Sequence, residues 1–239
     1  MAQPLSLVIP AHNEEGAIAA LVREAFAALP EALLAEVIVV DDASQDGTAA
    51  AVAALLPELP RLRLLRHARN AGQSAAVRTG VAAARSELVA TMDGDGQNPP
   101  ADIAVLAAAW APAGPRLVGG HRTQRRDSRS KRWASLAANA LREALLRDDC
   151  PDSGCGLKVF ARDDHLRLPF FHGQHRYLPA LFRAQGAATL FLPVGDRPRL
   201  HGHSNYTNLR RALSGIPDLM GVAWLVRRAR PVIASEVRP

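Results

Sequence analysis

The sequence predicts an α/β protein built around a largely parallel sheet, and three observations carry that prediction. Short apolar, β-branched runs alternate with longer Ala/Leu-rich segments, the pattern of successive strand–helix units. Three successive strand-like runs end in polar turns, which a parallel sheet gathers on one edge. The chain has 239 residues, 48% of them hydrophobic, enough to bury the core of one large domain or of one domain with an appendage.

Leu5–Ile9 reads as the first strand, and a helix follows from about Glu14 to Ala28, with Asn13 as N-cap and Glu14 as a favourable first-turn acid. Glu36–Val40 is the second strand, and Asp46 or Ser44 caps a helix from Gly47 to Leu56. Arg61–Arg66 and Leu88–Met92 are the next strands, separated by a helix from Gln73 to Arg85. Further on the pattern loosens. Pro100–Ala109 reads as a helix, Arg116–Gly119 as a short strand and Ser128–Arg147 as a long helix of alternating basic and apolar positions. Leu157–Ala161 and Ala188–Val194 are further strands, and Leu209–Arg230 is helical with an interruption at Pro217. There is no repeat and no low-complexity linker. The division expected is a catalytic body over residues 1–205 and an amphipathic helical segment over 206–239.

Charge is distributed unevenly. Residues 1–100 carry 7 Arg and 12 Asp/Glu, whereas residues 101–239 carry 22 Lys/Arg and 11 Asp/Glu. An acidic first part and a basic second part are expected to meet different partners. The near-absence of Lys (only Lys131 and Lys158) is a matter of codon usage; where each Arg sits can still serve function.

Several classes drop out. No uncharged run exceeds 13 residues, well short of the ~20 needed to span a bilayer. The segment MAQPLSLVIPAHNEE lacks the basic and apolar regions of a signal peptide. Two cysteines cannot make a disulfide scaffold, and the spacing of Cys150 and Cys155 matches no common zinc site, even with His165, His172 and His175 downstream. No G-x-G-x-x-G follows the first strand and no P-loop signature is present. The expectation is a soluble or membrane-surface protein of a reducing cytosol.

The chemistry concentrates at strand ends. Asp93-Gly94-Asp95 closes the fourth strand, where residues i and i+2 can turn both carboxylates toward one ligand. Two hard oxygen donors beside phosphate oxygens suit Mg²⁺ or Mn²⁺. A calcium loop fails on spacing, since its sixth position would be Asn98 and its twelfth Ala104. Directly after EVIVV come Asp41 and Asp42. One of them points to the crevice, where a carboxylate accepts hydrogen bonds from nucleobase N–H groups, and Asp42 is the candidate. The turns at Pro10–Glu15 and Arg69–Gln73 complete the edge.

The stretches IPAHNEE, VVDDASQDGT, RNAGQSAA and MDGDGQNPP, in this order and spacing, resemble the GT-A-fold glycosyltransferases of family 2. Within that family they are similar to the polyprenyl-phosphate glycosyltransferases, such as the dolichyl-phosphate mannosyltransferases and bacterial undecaprenyl-phosphate enzymes. DSGCGLKVF, FFHGQHRYLPALF and RPRLHGHSNY extend the match over nearly the whole chain. The resemblance implies a Rossmann-like, mostly parallel sheet and an inverting transfer from a UDP- or GDP-sugar to a polyprenyl phosphate. It implies that Pro10, His12, Glu14, Asp42, Gly72 and Asp93 line the nucleotide pocket, and that Asp93, Asp95 and Gln97 hold the metal and diphosphate. Arg122, Arg132 and Ser135 fall near the acceptor phosphate, and Asp152 opens the acceptor loop. Arg199 and Ser204 belong to a segment that closes over the diphosphate. Asp95, Arg122, Arg132 and Asp152 are thus the catalytic candidates. Two departures stand out: Asn205 replaces a frequent Lys, and Gly94 and Gly96 replace the Ala and Leu of the mannosyltransferases.

Residues 121–132 are dense in Arg, with Asp127 the one acid, and suit an anionic lipid headgroup or a solvated loop. The lack of aromatics there counts against nucleic acid. The run from Ile216 to Arg230 places Trp224 beside Arg227, Arg228 and Arg230, as in a helix lying in a membrane interface; a core helix or oligomer contact is the plainer reading. The expected localisation is the cytoplasm, peripheral on the inner face of the membrane directly or through a membrane partner. A soluble glycan or protein acceptor, or an inactive nucleotide-sugar-binding protein, are the alternatives.

Overall fold

The computed structural model describes residues 3–123, 142–198 and 208–229, with side chains from 215 onward in the last stretch. Strands and helices alternate as β1 (Leu5–Ala11), α1 (Glu15–Ala28), β2 (Leu34–Asp41), α2 (Thr48–Ala53), β3 (Leu62–Arg66), α3 (Gln73–Ala83) and β4 (Leu88–Thr91). There follow α4 (Asp102–Ala109), β5 (Pro115–Arg122), β6 (Lys158–Ala161), α5 (Arg162–Arg167), a 3-10 turn (Gln174–Arg176), α6 (Leu178–Ala184), β7 (Ala188–Val194) and α7 (Asn208–Arg228).

The seven strands form one sheet in the order β3-β2-β1-β4-β6-β5-β7. β1 pairs parallel with β2 and β4, β2 with β3, and β5 with β7. β6 alone runs against its neighbours β4 and β5. Every other strand therefore ends on one edge, and β6 begins there, with Lys158 opposite Thr91.

Alternation along the strands sends side chains into two cores. Leu5, Leu7, Ile9, Val37 and Val39 face one side, against Ile18, Leu21 and Val22 of α1, Val52 of α2 and Ile103 and Leu106 of α4. Val8, Ile38 and Val40 face the other, with Val77 and Val81 of α3, Phe160 of β6 and Leu178, Leu181 and Phe182 of α6. Both faces are covered, so the central strands read as unbroken apolar runs.

Differences from the sequence expectation have local causes. Asn13 does not cap α1; it adopts φ 58°, and its Oδ1 accepts a hydrogen bond from the Gln45 amide at 2.9 Å, tying one turn to the next. α7 is not interrupted at Pro217 but runs through it. A proline forfeits one helical hydrogen bond, and the burial of Leu219, Val222 and Ala223 against the second core holds the turns beyond it. α5 and α6 were not anticipated, being six and seven residues long and set by packing rather than by a periodic pattern. Most of the expected helix over 128–147 lies outside the described residues, though 142–146 are helical.

Candidate active site

The parallel strands deliver their carboxyl ends to one edge, and the turns beyond β1 and β2 are laced together there. The Asn13 amide donates to Ser44 Oγ at 3.0 Å and the Glu14 amide to Thr48 Oγ1 at 2.8 Å. Asp46 accepts the Thr48 amide on Oδ1 at 3.0 Å and the Glu15 amide on Oδ2 at 3.2 Å. His12 Nδ1 lies 2.9 Å from the Asp42 carbonyl oxygen, and Pro10 lies within β1 itself.

Asp42 is 3% exposed, and its carboxylate organises the next turn. Oδ1 accepts from the Ala71 amide at 2.8 Å and lies 2.7 Å from His67 Nδ1, while Oδ2 accepts from the Gly72 amide at 2.7 Å. Burial opposes the charged form; the Ala71 amide, His67 and the Gly72 amide outweigh it and hold the carboxyl below its ordinary range. His67 is kept in place by Thr79 Oγ1, 2.9 Å from its Nε2. Gly72 has φ 85°, which a side chain would strain. Asp41 points elsewhere: its Oδ1 accepts the Ser44 amide at 3.1 Å and its Oδ2 lies 3.0 Å from Arg66 Nε.

Beyond β4, Asp93 sits against the loop that leads into β6. Its carboxyl packs so closely on Gly156 that a Cβ there would lie 2.4 Å from Asp93 Cγ, so this approach requires glycine. Gln73 Nε2 donates to Asp93 Oδ1 at 2.7 Å. Burial first, and then the neighbouring Asp95 charge, raise Asp93 to about 6, against the opposing pull of Lys158 and Arg122. Asp95 is 7% exposed and its Oδ1 accepts the Gln97 amide at 3.1 Å. Gln97 pairs in turn with the chain after β7, its carbonyl accepting the Arg197 amide at 2.9 Å.

Two carboxylates in like-charge contact, with a carboxamide oxygen two residues on, make a donor set of hard oxygens that fits Mg²⁺ or Mn²⁺. Among the described residues no group of three or more His, Cys, Asp or Glu could enclose a metal by protein side chains alone. Such a pair suits an ion that completes its shell with phosphate oxygens and water.

At the end of β5, Arg122 forms a fork with Asp152: Nε to Oδ2 at 2.7 Å and Nη2 to Oδ1 at 3.0 Å. The Arg122 amide adds a bond to Oδ2 at 3.3 Å. The hydrogen bonds it donates to Asp152, and the charge of that carboxylate, push the guanidinium pKa further up, so Arg122 is a permanent cation. A cleft lined by Thr123, Pro193, Val194, Gly195 and Asp196 opens beside it.

The structure thus gathers Pro10, His12, Glu14, Asp42, Gly72, Asp93, Asp95, Gln97, Arg122 and Asp152 along one edge. Arg132, Ser135, Arg199 and Ser204 lie outside the described residues, as does Asn205. Sequence reasoning missed His67 and Lys158, and it placed Gln73 on the edge only as the end of the Arg69–Gln73 turn. Gln73 had a signal in the residue directly after the Gly72 turn; His67 had none, since only the fold brings it to Asp42. Lys158 is buried and donates from Nζ to the Cys155 carbonyl.

Comparisons with known proteins bear on the fold and the family. The chain is 33% identical over 235 residues to a dodecaprenyl-phosphate galacturonate synthase of Rhizobium johnstonii, covering 95% of this chain and 69% of that protein. It is 35% identical over 206 residues to an undecaprenyl-phosphate 4-deoxy-4-formamido-L-arabinose transferase of Aeromonas hydrophila, covering 84% and 62%. The chain thus spans roughly two thirds of the length of these curated relatives. Among solved structures, the glucosyl-3-phosphoglycerate synthase of Mycobacterium tuberculosis in complex with Mg²⁺ and UDP superposes with a TM-score of 0.70 at 22% identity, covering 97% of this chain and 81% of that one. The mannosyl-3-phosphoglycerate synthase of Rubrobacter xylanophilus does so with a TM-score of 0.68 at 18% identity, covering 99% and 79%. These likenesses confirm the fold expected of a GT-A protein. The model for "Glycosyl transferase family 2" matches residues 6–229, and the chain belongs to that family.

Proposed function

We propose that this protein is an inverting, metal-dependent glycosyltransferase that moves a sugar from a UDP- or GDP-sugar to a polyprenyl phosphate. The observation that carries the reading is the Asp93/Asp95 pair facing the Asp42-held turn at the carboxyl edge of a parallel sheet. Both closely matched relatives bear names of polyprenyl-phosphate sugar enzymes, which supports the acceptor class.

In this reading residues 1–205 are the catalytic body. The turns at Pro10–Glu14 and Ala71–Gly72 cradle the nucleotide, with His12 and Asp42 setting their geometry. Asp93, Asp95 and Gln97 would hold Mg²⁺ or Mn²⁺, which would supply positive charge to the leaving diphosphate. A phosphate monoester has its second pKa near ~6 and is mostly dianionic at neutral pH, so it attacks without a strong general base. What the site must supply is positioning and cations. Arg122 holds the attacking phosphate bidentately, exchanging its fork on Asp152 for one on phosphate, and Arg132 and Ser135 assist. Arg199 and Ser204 close over the diphosphate. In-line attack at the anomeric carbon then inverts it.

No helix among the described residues is long and apolar enough to cross a membrane. Residues 206–239 are the membrane-facing part in this reading: Ile216, Met220 and Trp224 are exposed at four-residue spacing on α7, and Arg228 stacks on Trp224 at 5.0 Å. Apolar residues flanked by cations suit an anionic headgroup layer, on the inner face of the membrane. The test is incubation with Mn²⁺ or Mg²⁺, undecaprenyl phosphate and a panel of UDP- and GDP-sugars. Glycolipid from one donor is the expected result. Tight nucleotide binding with no product from any donor would refute the transfer.

A further inference from the structure

The loop between α5 and α6 plays no part in the reading above, yet it touches the donor turn at two points. A Cβ on Gly72 would sit 3.4 Å from His172 Nδ1, so the imidazole packs on that glycine. His175 Nδ1 lies 2.7 Å from Ser74 Oγ, and the His175 amide donates to the same oxygen at 3.3 Å. Because Ser74 Oγ accepts the amide, its hydroxyl hydrogen is free to donate to Nδ1, giving a two-point clasp.

Ser74 is 3% exposed and is the second residue of α3. The residue before it, Gln73, is the one whose carboxamide holds Asp93. The two residues before that, Ala71 and Gly72, are held by Asp42. Four consecutive residues thus connect Asp42, His172, Asp93 and His175. Asp42 fixes the entry to the segment and His175 fixes its exit into the helix. Gln73 between them has an exposed side chain whose aim depends on both anchors.

The clasp is itself anchored from behind. Gly173 takes φ 84° and lies against Asp218 of α7, where a Cβ would approach Oδ2 to 3.1 Å. Tyr177 is buried and donates from its hydroxyl to the Gly215 carbonyl at 3.4 Å. The loop is therefore wedged between the C-terminal helix and the first turn of α3.

We propose that His175 is a positioning residue for the donor half of the site, acting through Ser74 and the first turn of α3 to hold Gln73 on Asp93. The proposal rests on the reading of Asp93 and Asp95 as the metal pair. A hydrogen bond to a ligating carboxylate fixes its orientation, and losing such a partner typically costs 10–100-fold in metal affinity. His175 stands one step further out than Gln73, so its loss costs less.

Mn²⁺ binding, followed by the electron paramagnetic resonance signal of the free ion in the presence of UDP or GDP, reads this without turnover. Gln73→Ala is expected to weaken Mn²⁺ binding about tenfold and His175→Ala several-fold. The double variant should be no weaker than Gln73→Ala alone, because both act through one contact. His175→Asn, which returns a polar atom near the place of Nδ1, should recover most of the affinity. Ser74→Ala removes only the bridging oxygen and should match His175→Ala, which keeps the test open if the latter folds poorly. A lowered melting temperature with unchanged Mn²⁺ affinity would make the clasp merely structural, and additive losses in the double variant would break the proposed route. Absence of Mn²⁺ binding by the unmodified protein would overturn the metal reading and this proposal with it; unchanged affinity in the variants would overturn this proposal alone.

Discussion

The turns after β1, β2 and β3 and the segments around β5 and β6 spend their carboxylates in different ways. In the first region Asp42 binds the amides of Ala71 and Gly72, Asp46 those of Glu15 and Thr48, and Asp41 that of Ser44, with Arg66 on its other oxygen. In the second, Asp152 is forked by Arg122 and Asp148 by Arg142, while Asp149 and Asp164 each take one guanidinium nitrogen, from Arg183 and Arg116. An acid that binds amides builds a rigid cup whose shape owes little to mobile side chains. An acid that binds a guanidinium holds a cation in readiness, and an incoming phosphate can compete for that cation with the same bidentate geometry. The first arrangement suits a ligand with a fixed outline, such as a nucleotide; the second suits an anion that arrives and leaves.

The strongest way to break this division is at the carboxylate pair. Asp95→Asn is expected to lower metal-dependent turnover by about 10²–10³-fold, the scale on which removing one preorganised electrostatic contact acts. Unchanged turnover under saturating Mn²⁺ would remove the metal from this edge. A crossover pair sharpens the contrast. Arg122→Lys loses the planar fork and should raise the acceptor KM about tenfold or more while leaving the donor KM alone. Asp42→Asn weakens contacts to the Ala71 and Gly72 amides and should raise the donor KM instead, at a cost of about 1–3 kcal/mol in stability by denaturant titration. Initial-rate kinetics with each substrate varied in turn decide it, and equal effects on both constants would erase the division.

An effect of comparable size concerns the scaffold behind β6. His165 is 1% exposed and stacks on Phe160 with centroids 5.1 Å apart. Burial, assisted by the charge of Arg78, lowers its pKa from 6.5 to about 4. The folded state therefore resists protonation that the unfolded chain accepts. Its contribution is fully present above pH 6.5 and is lost as pH falls toward 4, by about 3 kcal/mol in all. His165→Phe should flatten the melting temperature across that window, which calorimetry at a series of pH values measures.

The sheet and the position of the turns at its carboxyl edge were legible because local signals agreed with the fold. EVIVV and LVATM are strands by composition, and the acids that follow stand where parallel strands must end. The role of Asp42 was less legible. The sequence suggests a carboxylate facing a nucleobase, whereas both its oxygens hold backbone amides of a turn some thirty residues away. Nothing local to Asp42 announces those partners. His67 and Gly156 were invisible for the same reason: each matters through a neighbour supplied by topology, Asp42 for one and Asp93 for the other. The short helices α5 and α6 carry too few residues for a periodicity to show.

The reversed strand β6 has a consequence for how such a protein can diversify. The chain leaves the sheet at Arg122 and re-enters it at Lys158, both on the edge where the parallel strands end, because β6 runs against its neighbours. Everything between is an excursion that starts and finishes in the same place. Closing a longer excursion adds only about 0.6 kcal/mol for each doubling of its length. The middle of this excursion can therefore grow or shrink while the register of all seven strands stays as it is, whereas Asp152, Gly156 and Leu157 at its end are fixed by Arg122, by Asp93 and by the first core. A change there leaves the turns beyond β1, β2 and β3 as they are.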